Sequence, residues 1–281
     1  MIILNEATFA ERCLEHGLSG EKPYRVLFIL AKYFYHEKQF TSAQVKQMLT
    51  AFLNQYYACY HLHEQMWEQN IHNIVCTAKQ KTLQKIDGVC ISENELENIR
   101  QIGNATQERL MFTLLCLAKL NNIKNKSNNN WVNYDWKTIF TLAHISGGNM
   151  DRAQRLNRLY DIGYIQPASK NTSLNVRVVY INDDSPIAFC ISDFRELGLE
   201  YVNYVRGGFA RCQGCGKLYA HTKHNRLYCD DCRGQNTNMN KFVVCEDCGR
   251  AFTVSAKNHK TTRCRDCQNT RRRELYHENK E

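Results

Sequence analysis

The chain has 281 residues, of which 43% are hydrophobic and 23% are charged, so it is long enough for two or three compact units with apolar cores. Three prolines and 14 glycines exclude a collagenous or low-complexity chain, and the formal charge of +9 points toward an anionic partner. No apolar run reaches the roughly 18–20 residues that span a bilayer. The start, MIILNE, lacks the features of a secretory signal, so we expect a cytoplasmic protein with no membrane partner.

Residues 1–104 are predicted to form a helical domain in a protein that is mainly α with small β elements. Apolar residues at helical spacing indicate helices near 9–14 and 23–35 and a long helix from about 62 to Asp87. Thr41-x-x-Gln44 and Ser92-x-x-Glu95 have the form of capping boxes and predict helix starts near 42 and 93.

Two clusters of side chains in this domain could suggest a function, but a structural interpretation fits each of them better. His61 and His63 are two residues apart and do not share a helical face, so with Glu64 they fit a solvated helix start better than a metal site. The tyrosine cluster at 56–60 could stack on bases, but an aromatic stripe is more often part of a core. We expect no chemistry in this domain.

Residues 105–206 predict a winged-helix-like domain with a following strand and helix. The elements are helices at 108–120, 136–143 and 151–162, extended runs at 164–166 and 174–181, a strand at 187–191 and a helix at 192–205. The turn Ser146-Gly-Gly-Asn149 precedes the third helix, and Gly163 ends it. Two helices, a glycine turn, a third helix and a hairpin are the order of a winged helix-turn-helix.

The third helix of this domain is the candidate DNA-reading element. Leu156, Leu159 and Ile162 are expected to form its buried stripe. Four polar side chains then remain for its outward faces, where they can contact base edges and phosphates in the major groove: Arg152, Gln154, Arg155 and Arg158.

Lys170 and Arg177 are expected on the hairpin, where a wing meets the DNA backbone. Winged helices also serve as protein-interaction modules, and Asp151 and Asp161 dilute the positive face. Contact with a protein in place of DNA therefore remains an open alternative for this domain.

Eight of the 14 cysteines form four Cys-x-x-Cys pairs in the last 70 residues. Two such pairs complete a tetrahedral metal site, and intervals of 13 and 15 residues between the paired motifs suit a short β-hairpin between them. We predict two structural Zn²⁺ ions, one in a module at 207–236 and one at 241–281, whose ligands are Cys212, Cys215, Cys229 and Cys232 in the first and Cys245, Cys248, Cys264 and Cys267 in the second.

The two modules are an internal repeat, because each second cysteine is followed by Gly, a basic residue and, four positions on, an aromatic residue. Glycine permits the positive φ that turns backbone amides toward sulfur. Disulfides conflict with the missing secretory signal, and a redox motif conflicts with four pairs that lack a βαβ context. His221 or His224 could replace one cysteine of the first site.

The other six cysteines are single and lie in apolar, helical context, so we expect them to be buried packing residues: Cys13, Cys59, Cys76, Cys90, Cys116 and Cys190.

The C-terminal block carries most of the net charge. Residues 209–281 hold 15 Lys and Arg residues against eight Asp and Glu residues, a formal +7, which two Zn²⁺ ions on eight thiolates reduce to about +3. Arg271, Arg272 and Arg273 are expected on a terminal helix as a phosphate clamp, with a merely solvated helix end as the alternative.

Three segments carry a resemblance to a known group: Asn130-Trp-Val-Asn133, Leu156-x-x-Leu-Tyr-Asp-Ile-Gly163, and Cys212-x-x-Cys-Gly with Tyr228-Cys229-x-x-Cys232. They resemble largely uncharacterised proteins of prophages and mobile elements in Gram-positive bacteria. The resemblance implies a phage origin, residence in a bacterial cytoplasm, and a winged helix combined with zinc modules. It implies little about biochemistry.

The sequence favours a non-enzymatic DNA-binding protein that acts as a regulator or replication accessory of a mobile element. The alternative is a phage-encoded inhibitor or adaptor that binds a host complex such as a CRISPR or other defence effector. An enzyme is the third hypothesis, but we find no phosphate-binding loop, no His-Glu-x-x-His motif and no assembled acid–base site, and no small-molecule substrate is indicated.

Overall fold

The computed structural model describes residues 2–18, 21–168, 175–182, 184–221, 226–230, 232–233, 240–249, 251–255 and 261–278. Residues 1–206 and residues 207–281 form two compact units. The described part is mainly helical with small sheets, as predicted. Within it, no helix is both long enough and apolar enough to cross a bilayer.

Four helices build the first core: α1 (Glu6–His16), α2 (Pro23–His36), α3 (Ser42–Tyr56) and α4 (Glu64–Ala78). Their apolar stripes pack together, and Leu27, Leu30 and Leu49 are fully buried. Burial of each such side chain contributes about 1.5–3 kcal/mol before entropy costs. Thr41 makes the predicted capping box with Gln44.

The tyrosines at 56–60 belong to this core, as the structural interpretation predicted, because Tyr60 is buried and its two neighbours pack against the same cluster. His61 and His63 are exposed at the start of α4, where His61 Nδ1 lies 2.8 Å from a carboxylate oxygen of Glu64. These residues therefore form a solvated helix start.

The prediction of a helix from 62 to 87 is wrong after Ala78. The chain there turns to pair with the N-terminal segment: the Glu6 amide donates to the Gln84 carbonyl, and the Ile86 amide donates to the Leu4 carbonyl. These backbone hydrogen bonds compete with continuation of the helix.

A second core surrounds the long helix α6 (Ala105–Lys124), which is buried on nearly all sides over residues 110–120. Helix α5 (Glu93–Gln101) packs on it after the strand β1 (Val89–Ser92), which the all-helical prediction for residues 1–104 missed. Strand β1 pairs antiparallel with β5 (Ile187–Ile191), the strand predicted at 187–191.

One buried carboxylate joins three parts of this core. Glu95 is fully buried and closes the predicted capping box of α5 by accepting from the Ser92 amide. It also accepts from Lys119 Nζ on α6 at 2.9 and 3.0 Å and from the Asn182 amide at 3.1 Å. The two carboxylate oxygens of Glu95 accept four hydrogen bonds in total, and these compensate the cost of burying its charge.

The central segment continues from α6 in the order β2 (Trp131–Val132), α7 (Trp136–Leu142), α8 (Asn149–Asp161), β3 (Ile165–Pro167) and β4 (Val176–Val178). The three strands form one antiparallel sheet in the order β2-β4-β3. The predicted helices at 108–120, 136–143 and 151–162 all exist, and β2 is an additional strand.

Two details of this segment differ from prediction. Ile162 is 47% exposed, because α8 ends at Asp161 and the buried stripe consists of Leu156 and Leu159 alone. Helix α9 (Leu197–Arg206) begins five residues later than the predicted start at Ser192. The preceding residues instead bury the Phe194 ring and direct the Glu196 carboxylate to His144.

The second unit contains two antiparallel hairpins and a helix: β6 (Phe209–Arg211) with β7 (Leu218–Ala220), β8 (Asn240–Val244) with β9 (Ala251–Ser255), and α10 (Arg265–Glu278). The predicted terminal helix is therefore present.

The single cysteines do not all follow the prediction. Cys13 and Cys116 are buried packing residues, as expected. Cys59 and Cys76 are exposed. Cys90 and Cys190 form a disulfide across the β1–β5 pair, where they are directly opposed. The prediction was wrong for these four because burial of a lone cysteine depends on contacts that its neighbours in sequence do not reveal.

Candidate metal centres and nucleic-acid surface

The first cysteine cluster brings together all four predicted ligands. Cys212, Cys215, Cys229 and Cys232 have sulfur atoms that lie within 4.8 Å of one another, and Cys215 Sγ is 3.7 Å from Cys229 Sγ. A regular tetrahedron with metal–sulfur bonds of about 2.3 Å has edges of about 3.8 Å. The cluster is therefore too open for disulfides and has the size of a four-thiolate metal site.

The second cluster has the same geometry. The sulfur atoms of Cys245, Cys248, Cys264 and Cys267 lie within 4.8 Å of one another, and Cys248 Sγ is 3.7 Å from Cys264 Sγ. Each cluster can hold one metal ion, so the chain can hold two. With four protein ligands neither site leaves an open position for substrate, which is typical of a structural metal.

The first pair of each cluster lies on a tight turn at the tip of a hairpin. Gly216 and Gly249 follow the second cysteine with φ of +71° and +66°, the region that the repeat predicted for glycine. Each donates its amide to the carbonyl of the first cysteine, Cys212 or Cys245, at 2.8 and 2.9 Å.

The hairpin is placed differently from the prediction. It was expected between the two pairs, but β6 precedes Cys212 and β7 follows Cys215, so the hairpin carries the first pair at its own turn. Strands β8 and β9 enclose Cys245 and Cys248 in the same way. The two paired strands therefore flank the turn that carries both thiols of the first pair in each module.

The second pair of each cluster lies at the start of a helical turn. The amide of Arg233 donates to the Cys229 carbonyl at 2.8 Å, and the amide of Gln268 donates to the Cys264 carbonyl at 3.0 Å. Cys267 lies in the first turn of α10. The internal repeat seen in sequence is thus a repeat of backbone hydrogen bonds.

One further backbone hydrogen bond in each module joins its two cysteine pairs. In the first module the Gln213 amide donates to the Leu227 carbonyl at 3.0 Å, and in the second the Glu246 amide donates to the Thr262 carbonyl at 3.1 Å. The four residues occupy equivalent positions in the two modules, one after the first cysteine and two before the third. This match places the two pairs at the same separation in both modules.

Backbone amides favour ionisation of the first cysteine in each cluster. Burial opposes the Cys212 thiolate, but the amides of Cys229, Cys215 and Gly214 donate to it and lower its pKa to about 6. The Cys264 amide donates to Cys245 Sγ at 3.3 Å and, with other amides, lowers the pKa of Cys245 to about 6.

The last cysteine of each cluster behaves in the opposite way. Burial and hydrogen bonds with neighbouring thiols raise the pKa of Cys232, and hydrogen bonds with neighbouring thiols raise the pKa of Cys267. Four thiolates are therefore not stable together without a cation, and a divalent ion supplies the missing positive charge. The residues fit a metal on both geometry and charge.

The remaining predicted features of the first module have different outcomes. His221 is exposed and lies outside the four-sulfur cluster, so among the described residues the ligands are cysteines only. His224 lies outside the described residues. Tyr219, the aromatic of the repeat, is buried against Cys212 and Cys229, and the arginine side chain of Arg226 covers its ring.

The four predicted side chains of α8 are not equally exposed. Gln154 and Arg158 are exposed, whereas Arg152 and Arg155 are half-buried. The Arg152 guanidinium lies over the Phe140 ring, 5.7 Å from its centroid, so it covers the core of its own domain. The exposed polar face of α8 is therefore narrower than the sequence suggested.

Of the two residues predicted on the hairpin, Arg177 lies in the described part of the chain and Lys170 does not. Arg177 on β4 is held by Asn129, whose carbonyl and side-chain oxygens accept from its guanidinium at 3.3 and 3.1 Å. Lys170 lies outside the described residues, in the connection between β3 and β4. Arg271, Arg272 and Arg273 are exposed on α10.

Sequence reasoning missed a polar group beside α8, namely Asn104 and Gln107 at the start of α6. With Gln154, Arg155 and Arg158 they line one cavity. A local signal existed, since Asn104-x-x-Gln107 has the spacing of a capping box. Nothing local, however, places that helix start beside α8.

Comparisons of the chain with protein-family models, with curated proteins and with solved structures found no match. Any assignment of function therefore rests on the sites themselves.

Proposed function

We propose that this protein binds double-stranded DNA without acting on it chemically, as a regulator or replication accessory of a phage or other mobile element. We further propose that its two metal ions are Zn²⁺ and that residues 105–178 are a winged helix.

The observation that carries the proposal is the arrangement around α8. The elements follow one another along the chain as α6, β2, α7, α8, β3 and β4, and the three strands form one sheet in the order β2-β4-β3, as expected of a winged helix. Helix α8 presents Gln154 and Arg158 to solvent, and these side-chain types read adenine and guanine edges in the major groove. This combination supports DNA contact through α8.

The ligand set supports zinc. Both clusters consist of thiolates alone in tetrahedral spacing, and soft thiolate ligands in this geometry favour Zn²⁺ or iron–sulfur chemistry over hard cations. Zinc would lock the turn of each hairpin to the following helical turn, and it would do no chemistry there. Metal analysis of the purified protein, with two zinc ions per chain expected, tests this directly; iron would contradict it.

Helix α10 supports a second DNA contact. Its three consecutive arginines, Arg271, Arg272 and Arg273, are exposed and span most of one helical turn, so they face several directions around the helix axis. Together they cover about 200° of the helix circumference, so a duplex on that side of the helix can meet at least one of them. Such contacts strengthen binding without adding sequence preference.

A protein partner is the alternative that a specific observation favours. Met150, Tyr160 and Ile162 are exposed by 73%, 52% and 47%, at the two ends of α8. Asp151 and Asp161 are exposed on the same helix. Apolar and acidic side chains suit a protein surface better than a phosphate backbone, so a host protein complex such as a defence effector is the second candidate.

The test is binding of the zinc-loaded protein to a labelled random duplex over a salt series. We expect a linear fall of log affinity with log salt, with a slope of about −0.9 for each phosphate neutralised. Arg158→Ala should lower affinity for the duplex, and replacement of all three phosphate-contacting arginines of α10 by alanine should lower affinity and also reduce the slope. Lys46→Ala, at an exposed position on α3, is the control.

Absence of duplex binding at low salt would overturn the DNA proposal. An unchanged duplex affinity in the Arg158→Ala variant would contradict contact through α8 and leave α10 as the DNA surface.

A further inference from the structure

A cavity of about 200 Å³ lies where the N terminus of α6 meets α8, and nothing in the proposed reading of DNA by α8 accounts for it. Six polar or charged residues line it, and no apolar side chain does: Asn104, Gln107, Asp151, Gln154, Arg155 and Arg158. A polar lining of this kind suits a hydrophilic ligand.

Gln107 is the first sign that the cavity is built for a ligand. Its side chain is only 3% exposed, and its Oε1 has no hydrogen-bond partner among the described residues. A buried polar atom left without a partner destabilises the folded state. Such a cost is normally offset by a bound molecule or by ordered water.

Residues at the position equivalent to Gln107 in two other helices use their side chains to close a capping box, whereas Gln107 does not. Gln44 and Glu95 occupy the same third helical position in α3 and α5, and each accepts from its own N-cap amide, at 2.9 and 2.8 Å. Asn104 caps α6 alone, by accepting from the amides of Thr106 and Gln107, both at 3.1 Å. The side-chain amide of Gln107 is therefore not used by the cap, and Gln107 lines the cavity.

Arg155 is the second sign. It is half-buried, and its Nε has no hydrogen-bond partner among the described residues. Nor does the described part of the chain supply an ion pair to Arg155 or Arg158. Burial and the nearby positive charges of Arg155 and Arg206 lower the pKa of Arg109, so Arg155 has other cations in its neighbourhood. An anion would relieve that repulsion.

One acidic residue also lines the cavity. The Asp151 carboxylate accepts from the Gly148 amide at 2.9 Å and so is committed to the N terminus of α8. The lining still has one net positive charge, from two arginines and one aspartate. The amide end of the 20-residue helix α6 adds a partial positive charge.

We propose that this cavity binds a phosphate group, held by Arg155, Arg158 and the side-chain amide of Gln107, with the partial positive charge at the N terminus of α6 as a further attraction. The guanidinium groups donate to the phosphate oxygens. The side-chain amide of Gln107 can donate to an oxygen of either a phosphodiester or a free phosphate, whereas its oxygen can accept only from the hydroxyl of a protonated free phosphate group. The phosphate would belong to the DNA backbone, in which case the site extends the proposed function, or to a free phosphate compound, in which case it is independent of it.

The test uses inorganic phosphate and the full-length, metal-loaded protein. Phosphate should raise the Tm of residues 1–206 by about 3–6 °C at roughly ten times its Kd, relative to NaCl at equal ionic strength. Gln107→Glu should raise the Tm without phosphate, because the new carboxylate pairs with Arg155, and should weaken phosphate binding at least tenfold. Gln47→Glu, which makes the same charge change at an exposed position of α3, is the matched control.

Arg155→Gln is the second variant, should Gln107→Glu fail to fold, and it should also lose the response to phosphate. A Tm rise equal in the wild type and both cavity variants, or equal in phosphate and chloride, would overturn the proposal. If the Tm of the wild type does not rise at phosphate concentrations up to about 50 mM, the proposal is overturned as well.

Duplex binding then separates the two sources of phosphate. Weaker duplex binding by Gln107→Glu, with a salt slope reduced by about one, identifies the DNA backbone as the source. Unchanged duplex binding together with a lost phosphate response identifies a free phosphate compound. If no variant binds duplex while the phosphate response still depends on Gln107, the proposed DNA function fails and the phosphate site stands.

Discussion

Residues 1–206 bury two large apolar clusters, whereas the buried hydrophobic residues described in 207–281 are four metal-site cysteines, Leu218 and Tyr219. The first unit orders its chain by removing aliphatic and aromatic side chains from water. The second unit has little such surface to remove. Its two modules, each about 30–40 residues, lie below the size at which an apolar core alone is sufficient.

The comparison teaches that the same chain uses two different sources of stability. In the second unit the metal ligands replace the core, and the hairpin turns and helical turns are placed to hold them. The two units should therefore respond differently to metal removal, core truncation, loss of a buried charge and loss of a helix cap.

Metal removal should produce the largest effect. Structural zinc contributes about 10–16 kcal/mol of binding free energy in small domains, so chelation should unfold both modules while the first unit stays folded. Hydrogen exchange would show lost amide protection at 209–220 and in α10, with protection retained in α2 and α6.

Single substitutions provide the control for this experiment. Cys212→Ser should reduce the metal content from two ions to one, whereas Cys76→Ser, at an exposed cysteine outside both clusters, should leave two. If the amides of the two modules stay protected from hydrogen exchange after complete metal removal, the second unit does not depend on metal for its stability, contrary to expectation.

Truncation of the second core should have the next largest effect, and it should be confined to the first unit. Phe112 is fully buried and packs against Phe189 and Tyr201. Phe112→Ala should lower the free energy of unfolding by about 3–5 kcal/mol in urea titrations and leave the metal content unchanged. Leu62→Ala, at a side chain 75% exposed, should change stability little. Loss of bound metal in Phe112→Ala would show that metal binding by the second unit depends on the core of the first unit.

Loss of one partner of the buried ion pair should be almost as costly. Lys119→Met leaves the fully buried Glu95 carboxylate without its cation, so we expect a loss of about 3–5 kcal/mol by urea unfolding. The double variant Glu95→Gln with Lys119→Met should recover part of that loss, because no charge remains buried. A double variant less stable than Lys119→Met would show that hydrogen bonds of Glu95 to the backbone matter more than its charge.

The smallest expected effect concerns the N-cap of α7. Asp135 accepts from the Thr138 amide and hydroxyl at 2.8 and 2.6 Å, and these bonds lower the pKa of Asp135. Asp135→Ala should cost about 1 kcal/mol at neutral pH, measured by urea unfolding of the first unit.

The pH dependence follows from the direction of that shift. A carboxyl whose pKa is lowered in the folded state adds stability above its usual pKa of about 3.9, and this stability is lost as pH falls through the lowered value. The gap between wild type and Asp135→Ala should therefore narrow near pH 3. Asp135→Asn keeps a neutral cap and should show no such pH dependence; an equal narrowing in it would contradict a charge effect.

Local features of this chain were predictable because their physics is local. The capping boxes at Thr41 and Ser92 involve residues three apart, and both exist. The Cys-x-x-Cys pairs also act over three residues, and their repetition along the sequence predicts both four-sulfur clusters that the structure shows. The position of each hairpin was not predicted, since strand pairing depends on partners across the turn.

The amino-acid sequence by itself determined the helical character of the chain, the central order of helices and strands, and the eight metal ligands, because periodicity, capping and chelation operate over a few residues. Only the tertiary structure decided contacts between distant residues. Cys90 opposes Cys190 across a separation of 100 residues, and Gln107 and Arg155 meet in one polar cavity. No short-range pattern encodes these encounters, since they arise only when the packing of α6 against its neighbours brings separate segments together.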